Sequence, residues 1–341
     1  MQNIVCIDPG DTQMKRREVI ALGLTMLSAQ VLAPRTVFAQ TKFPERPIRL
    51  IVPYPPGGVY DAVGRPWAEK MKSVLGAVVV ENMGGAGGAL GTAAVARAQP
   101  DGYTILLGSP LINLINTIAV SKPLFDPKDL EPISILATST FGIAVHPSVP
   151  ANTLQELIAY AKANPGKLSY GTAGVGSPNQ LAGEMFKSLT GTPGIVQVPY
   201  RGMGPALTDA IGGQIQMVVA TVTSQVLDLH HSGKLRILAM TTPARLAVAP
   251  EIPTAVESGV PKMVALQVIG LFAPAGTPKA VIDQISMATG AAMSDPEYQK
   301  RLIASGFESP TDTSPQKLRQ VHEEEFARWT PVIKSIGLKL D

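Results

Sequence analysis

The chain has 341 residues but only one cysteine, Cys6, and four histidines. Cys6 lies so near the N-terminus that removal of a leader leaves no cysteine. A mature chain then has no disulfide, no thiol nucleophile and no cysteine for a lipid anchor. His230 and His231 are adjacent, about 100° apart on a helix, and neither has a partner at metal-ligand spacing. They read as a solvated helix end, and His146, before Pro147, as a loop residue. His322 with Glu323, Glu324 and Glu325 reads as the wet face of a last helix. No cofactor and no metal site is expected.

Long apolar runs are missing as well. The longest near the N-terminus is Val19 to Ala33, 15 residues, short of the roughly 20 that cross a bilayer. It follows the basic stretch Met14-Lys15-Arg16-Arg17 and precedes Val37-Phe38-Ala39, whose small residues suit a signal peptidase. That order is a secretory leader, with cleavage near Ala39 and a free soluble periplasmic product. The Arg16-Arg17 pair leaves the twin-arginine route open beside the general one. Asp8 and Asp11 do not suit a leader, so the expected start is Met14.

Charge of one sign is also lacking. Four of the 29 basic and three of the 26 acidic residues fall in 1–39, leaving 25 and 23. Near-neutrality argues against nucleic acid or an anionic membrane as partner. The glycines match no nucleotide fingerprint. Gly85 and Gly87 are followed by Leu90, and Gly174 and Gly176 by Asn179. Gly171 and Gly176 have P-loop spacing, but Ser177-Pro178 follows. No nucleophile elbow occurs. These failures point away from an enzyme.

What is present is an alternation of β-branched runs and helical patterns, the mark of α/β layering. Ile48–Val52, Val78–Val80 and Thr104–Leu107 read as strands, with helices from near Asp61 and from Leu90 to Ala98. Strands follow at Gly142–Val145, Leu168–Tyr170, Ile195–Val198, Met217–Ala220 and Leu235–Met240. Thr153 caps a helix that Asn164-Pro165-Gly166 stops. Another helix opens after Gly171–Pro178 and one lies between Pro205 and Ile211. The C-terminal part is helical around 278–292, 296–304 and 315–336.

Two strand–glycine loop–helix units imply a cleft between two lobes, since open α/β sheets bind ligands beyond the carboxyl ends of their strands. The first loop is Pro55-Pro56-Gly57-Gly58-Val59-Tyr60-Asp61, with Tyr54 at its entry and Asp61 placed to cap the helix. In the second, Gly171–Ser177, Thr172 and Ser177 offer hydroxyls while Gly174 and Gly176 expose amides. A helix start of this kind receives a carboxylate without a lysine. Tyr200 reads as an apolar wall with a polar tip. Arg201 is either a bidentate carboxylate grip or a surface charge.

These residues resemble the substrate-binding proteins of tripartite tricarboxylate transporters, the Bug family. The likeness runs from Phe43-Pro44-Glu45-Arg46-Pro47-Ile48 through the Pro-Pro-Gly-Gly loop ending at Asp61 and Glu81-Asn82 before Gly85-Ala86-Gly87-Gly88. It continues in Asp101-Gly102-Tyr103-Thr104, Pro165-Gly166-Lys167-Leu168, Gly174-Val175-Gly176-Ser177, Val198-Pro199-Tyr200-Arg201-Gly202 and Pro274-Ala275-Gly276-Thr277-Pro278. The resemblance implies a two-lobed type II periplasmic binding fold. Its lobes would be 41–141 with 265–341, and 142–264, after a leader at 1–39. It also implies a monomer that captures a small organic acid for membrane transporter subunits. By that resemblance Gly57, Gly58, Val59, Asp61, Thr172, Gly174, Gly176 and Ser177 hold the ligand carboxylate, and Ser109 is a polar pocket position. The chain departs from the family at Gln180 and Gln197, where His is common, at Tyr60, where Thr is common, and near Val268, where Trp is common. Tyr60 either flattens the pocket or points outside. A sensory protein for a receptor kinase is the competing reading, with an exported enzyme behind it.

Overall fold

The computed structural model describes residues 43–335 and 337–340. The leader, Cys6 and the expected cleavage point lie outside them. Strand β1 (Ile48–Val52) is buried at every position but Arg49, as suits a strand covered on both faces. It lies between parallel neighbours β2 (Val78–Asn82) and β3 (Thr104–Gly108). Helix α1 (Val59–Leu75) covers this sheet, burying Val63, Trp67, Met71 and Leu75 along one stripe, the four-residue spacing of an amphipathic helix. The Trp67 indole donates to Thr289 Oγ1 at 3.2 Å, in helix α8 (Lys279–Met293). Helices α2 (Ala89–Ala96) and α3 (Pro110–Ile118) complete this half.

Strand β4 (Leu130–Val145) ties the two halves together. Its segment from Leu130 to Thr140 pairs antiparallel with β9 (Leu266–Pro274), which also pairs with β3. From Phe141 to Val145 it runs between β7 (Met217–Thr221) and β8 (Arg236–Met240). The expected strand at Gly142–Val145 is thus the end of a strand of 16 residues. Its earlier part is buried on both faces, so no polar–apolar alternation marks it. Beyond β7 lie β5 (Ser169–Thr172) and β6 (Val196–Pro199), both parallel to their neighbours. Helices α4 (Leu154–Ala163), α5 (Pro178–Thr190), α6 (Met203–Ile211) and α7 (Ser224–His231) pack around them. Thr153 accepts from the Glu156 amide as the α4 cap, and Gly166 takes φ 79° in the stop. The fold is a two-lobed α/β architecture.

Helices α9 (Pro296–Ala304) and α10 (Pro315–Ser335) close the chain. Trp329 and Ile333 of α10 join Phe141, Tyr170 and Phe186 in one core, while Leu318 joins Ile51 and Phe272 in another. The wet face expected at His322–Glu325 holds only for Glu323 and Glu324, which are exposed. His322 stacks on Phe326 with centroids 4.7 Å apart, and Glu325 accepts from the Trp329 indole at 2.7 Å. Burial, then Arg319, lowers the His322 pKa to about 4. Burial raises that of Glu325. Among the described residues no helix is long and apolar enough to cross a membrane.

Candidate functional site

The chain leaves β1 through residues 53–58. Gly57 has φ 81°, a left-handed turn that strains any side chain. Helix α1 then begins at Val59, earlier than expected, so Gly58 and not Asp61 is its N-cap. No side chain fills that cap. Asp61 instead sits in the first turn, 6% exposed. Its carboxylate accepts from the Gly57 amide at 2.8 Å and Arg65 Nε at 2.9 Å on one oxygen, and from Asn82 Nδ2 at 3.0 Å on the other. Asn82 Nδ2 also donates to the Tyr54 carbonyl at 2.9 Å. Burial alone would raise the Asp61 pKa, but bonds from Arg65, Asn82 and Gly57 outweigh it and hold the pKa below the ordinary value. Asp61 therefore stitches loop, helix and β2 together from behind, and it is not among the residues facing the cleft.

Tyr54 and Tyr60 stack with centroids 5.0 Å apart and ring planes 20° from parallel. The Tyr54 hydroxyl donates to the Gly87 carbonyl at 2.6 Å, and the Tyr60 oxygen accepts from Gln267 Nε2 at 2.7 Å. Burial raises the pKa of both phenols, so they remain neutral at physiological pH. Tyr60, open between two orientations in the sequence, lines the cleft. Ser109 is fully buried as the α3 cap, accepting from the Leu111 amide, and reaches the Tyr60 phenol. It touches the site only through that ring.

The second loop reaches the cleft at Ala173, while its hydroxyls and the Gly176 amide have partners within the protein. Ser177 caps α5, accepting from the Gln180 amide at 3.3 Å and donating to the Gly174 carbonyl at 2.7 Å. Thr172 Oγ1 accepts from Gln197 Nε2 at 2.9 Å. Both side chains are fully buried, with their polar atoms committed inside the loop. The Gly176 amide donates to Gln180 Oε1 at 2.7 Å, so it does not offer itself to a ligand. Gln180 thus occupies the Gly176 amide and Gln197 the Thr172 hydroxyl oxygen. Gly174, φ 125°, lines a neighbouring opening with Tyr200. Gly176 lies against Gly87 from the other half, where an added Gly87 Cβ would sit 2.4 Å from the Gly176 carbonyl carbon.

The segment after β6 also reaches the cleft. The Tyr200 hydroxyl donates to Asp209 Oδ2 at 2.7 Å; burial and Asp209 raise its pKa to about 12. Arg201 is exposed and lines both openings. Gly202, φ 104°, is the N-cap of α6, again with no side-chain cap. Its Cβ position lies 3.5 Å from the Pro55 ring, so the two loops meet.

The cleft encloses about 570 Å³ including its mouth. Tyr54, Gly57, Gly58, Val59 and Arg201 are the expected residues that line it. Asn179, Thr221 and Gln267 supply neutral polar groups the sequence reading missed. Nothing local marks Gln267, which arrives from a strand some 200 residues downstream. Arg201 is the only charged side chain in the lining, and among the described residues it is paired with no carboxylate. Helices α1, α2, α6 and α8 have no side-chain cap. Helices α3, α4, α5, α7 and α9 have Ser, Thr or Asp caps. Helices α1 and α6, whose N-termini face the cleft, have glycine and leave their first amides open. Such amides carry about half a positive charge and receive anions.

Comparison with known proteins places this geometry. A sequence profile described as "Tripartite tricarboxylate transporter family receptor" matches residues 63–338. Protein BugT of Bordetella pertussis is 34% identical over 327 residues, 95% of this chain and 98% of its own. The structure of periplasmic binding protein BugD superposes with a TM-score of 0.82 at 34% identity, covering 87% of this chain and 99% of that one. MatC from Rhodopseudomonas palustris, solved with bound malate, gives 0.80 at 29% identity, covering 85% of this chain and all of its own.

Proposed function

Since the chain belongs to the tripartite tricarboxylate transporter receptor family, we propose that it captures a small carboxylate between its lobes and delivers it to the transporter's membrane subunits. The observation that carries this reading is the pair of glycine-capped helix N-termini, α1 and α6, meeting beside Arg201 in one cleft. A carboxylate there takes the place that a serine, threonine or aspartate cap fills in helices α3, α4, α5, α7 and α9. Arg201 adds the full charge and a bidentate grip. Gly57, Gly58, Val59, Tyr54 and Arg201 contact the ligand. Asp61, Ser109, Thr172, Gly174, Gly176, Ser177 and Tyr200 shape and hold the loops that do.

The lobes in this reading are 41–141 with 265–341, and 142–264. They hinge where β4 leaves its pairing with β9 for β7 and β8. The protein works as a periplasmic monomer whose closed, loaded form the membrane subunits recognise. Malate bound to MatC supports carboxylate capture by a homologous fold.

A thermal-shift series on purified, ligand-stripped protein with small organic acids tests the proposal. A ligand at 100 times its dissociation constant adds about 2.7 kcal/mol of stability, a plain rise in melting temperature. A folded protein that no carboxylate stabilises would refute carboxylate capture. Loss of uptake of the stabilising acid on deletion of the gene tests delivery.

A further inference from the structure

Resting on the delivery reading, we propose that the opening beside the cleft, where the two halves meet, is a docking groove. Its occupant is a periplasmic loop of the transporter's membrane subunits that carries one carboxylate between apolar side chains and sets it against Arg201.

The groove is larger than a small acid needs. It encloses about 1350 Å³ including its mouth, against about 570 Å³ for the cleft. Leu90 and Val175 line it and are 48% and 42% exposed, and Pro55 and Pro199 continue the apolar wall. Large apolar side chains left in water around one opening mark a surface that a protein covers.

The two exposed side chains come from different halves. Leu90 lies at the start of α2, and Val175 in the loop after β5. They share one wall only while Gly87 lies against the second loop, where an added Gly87 Cβ would sit 2.5 Å from the Val175 oxygen. The Tyr54 hydroxyl donates to the Gly87 carbonyl at 2.6 Å, which ties that contact to the loop that takes the ligand. A partner seated across Leu90 and Val175 therefore engages the closed molecule and not the open one, as delivery requires.

Charge sets the chemistry of the partner. Arg201 is the only charged side chain lining the groove. Two carboxylates bond its lining from behind, and neither lines the groove itself. Asp61 holds Asn82 and is paired with Arg65, and Asp209 accepts from the Tyr200 hydroxyl. A cation on an apolar surface is matched by an acidic group of the partner, and a guanidinium takes a carboxylate in two parallel bonds. Arg201 lines the cleft as well. The docked carboxylate thus competes with that of the ligand for one cation, at the place where the ligand must be let go.

Binding of fluorescently labelled protein, in excess malate, to right-side-out spheroplasts of the source bacterium tests the groove. Spheroplasts deleted for the membrane-subunit genes serve as blank, and saturable binding above that blank is expected. Leu90→Glu and Val175→Glu should each weaken it about tenfold or more, because like charges then face each other across the contact. Leu90→Lys and Val175→Lys lose the same apolar contact and should bind more tightly than their Glu counterparts. Both positions are exposed, so melting temperatures and thermal shifts with malate should match wild type. Glu variants that bind spheroplasts as wild type does would overturn docking at this groove. Equal losses in the Glu and Lys variants would overturn the acidic partner. A malate thermal shift that the Glu variants abolish would return the groove to the ligand. Self-association of the protein that they abolish would seat a second copy there, and either result overturns the proposal. Absence of saturable binding by wild type would overturn docking and delivery together, while thermal shifts with organic acids would leave carboxylate capture standing.

Discussion

Asp61 Oδ2 accepts from Arg65 Nε at 2.9 Å, one helical turn along α1, while the same oxygen holds the amide of Gly57 at 2.8 Å. The arginine thereby braces the carboxylate that fixes the left-handed glycine of the binding loop. It also reaches Asn82 Oδ1 at 2.9 Å, so three segments share one ring of bonds.

Asp61→Asn should lower stability at neutral pH by about 1–3 kcal/mol, the usual cost of stranding buried partners of a charged group. Ligand affinity should change far less, because the side chain lies behind the loop. The depressed pKa of Asp61 gives stability that is present above the unfolded value near 4 and is lost as pH falls through the folded value. Denaturant melts of wild type and variant should therefore converge in acid. A variant that keeps wild-type stability and loses binding would restore the direct contact expected from sequence.

Ser177→Ala removes the α5 cap and the bond to the Gly174 carbonyl. Stability should fall by about 0.5–2 kcal/mol, with affinity lowered only through a looser loop. Thermal melts paired with titration separate this from a ligand contact, whose loss would reach affinity before stability.

Gly87→Ala inserts a methyl group 2.4 Å from the Gly176 carbonyl carbon and 2.5 Å from the Val175 oxygen. Backbone on both sides leaves nowhere to yield, so the two halves cannot meet as they do here. With saturating ligand, small-angle scattering should give a larger radius of gyration than wild type. Apparent affinity should fall in proportion to the lost closed population. An unchanged radius would show that the contact is dispensable for closure.

His322 is held neutral, with its pKa lowered to about 4 by burial and then by Arg319. The unfolded chain takes up the proton near pH 6.5, so this contribution to stability is complete above 6.5 and is lost as pH falls toward 4. His322→Phe keeps the ring on Phe326 and should flatten the fall in melting temperature between pH 6.5 and 4.5. An identical slope in both proteins would remove His322 as its source.

Much of this was legible locally. Thr153 is a capping residue next to a helix pattern, and Asn164-Pro165-Gly166 stops α4, because each acts within four residues of itself. The first loop was legible for the same reason. What escaped was decided across the chain. Gln267 becomes part of the cleft by pairing of β9, and Asp61 is turned inward by Arg65 and Asn82. Thr172 and Ser177 expose no hydroxyl because Gln197 and the Gly174 carbonyl take them. His322 and Glu325 sit in a charged run that reads as solvated, until Phe326 and Trp329 cover them.

The passage of β4 through both sheets bears on how the molecule comes apart. A strand of 16 residues whose two ends lie in different cores cannot be released from one without loosening the other. Helix α10 repeats the tie, with Leu318 in one core and Trp329 in the other. The two cores should therefore not melt separately, and calorimetry should record a single cooperative transition with matching calorimetric and van't Hoff enthalpies. A ligand that touches only the cleft then protects the whole chain at once.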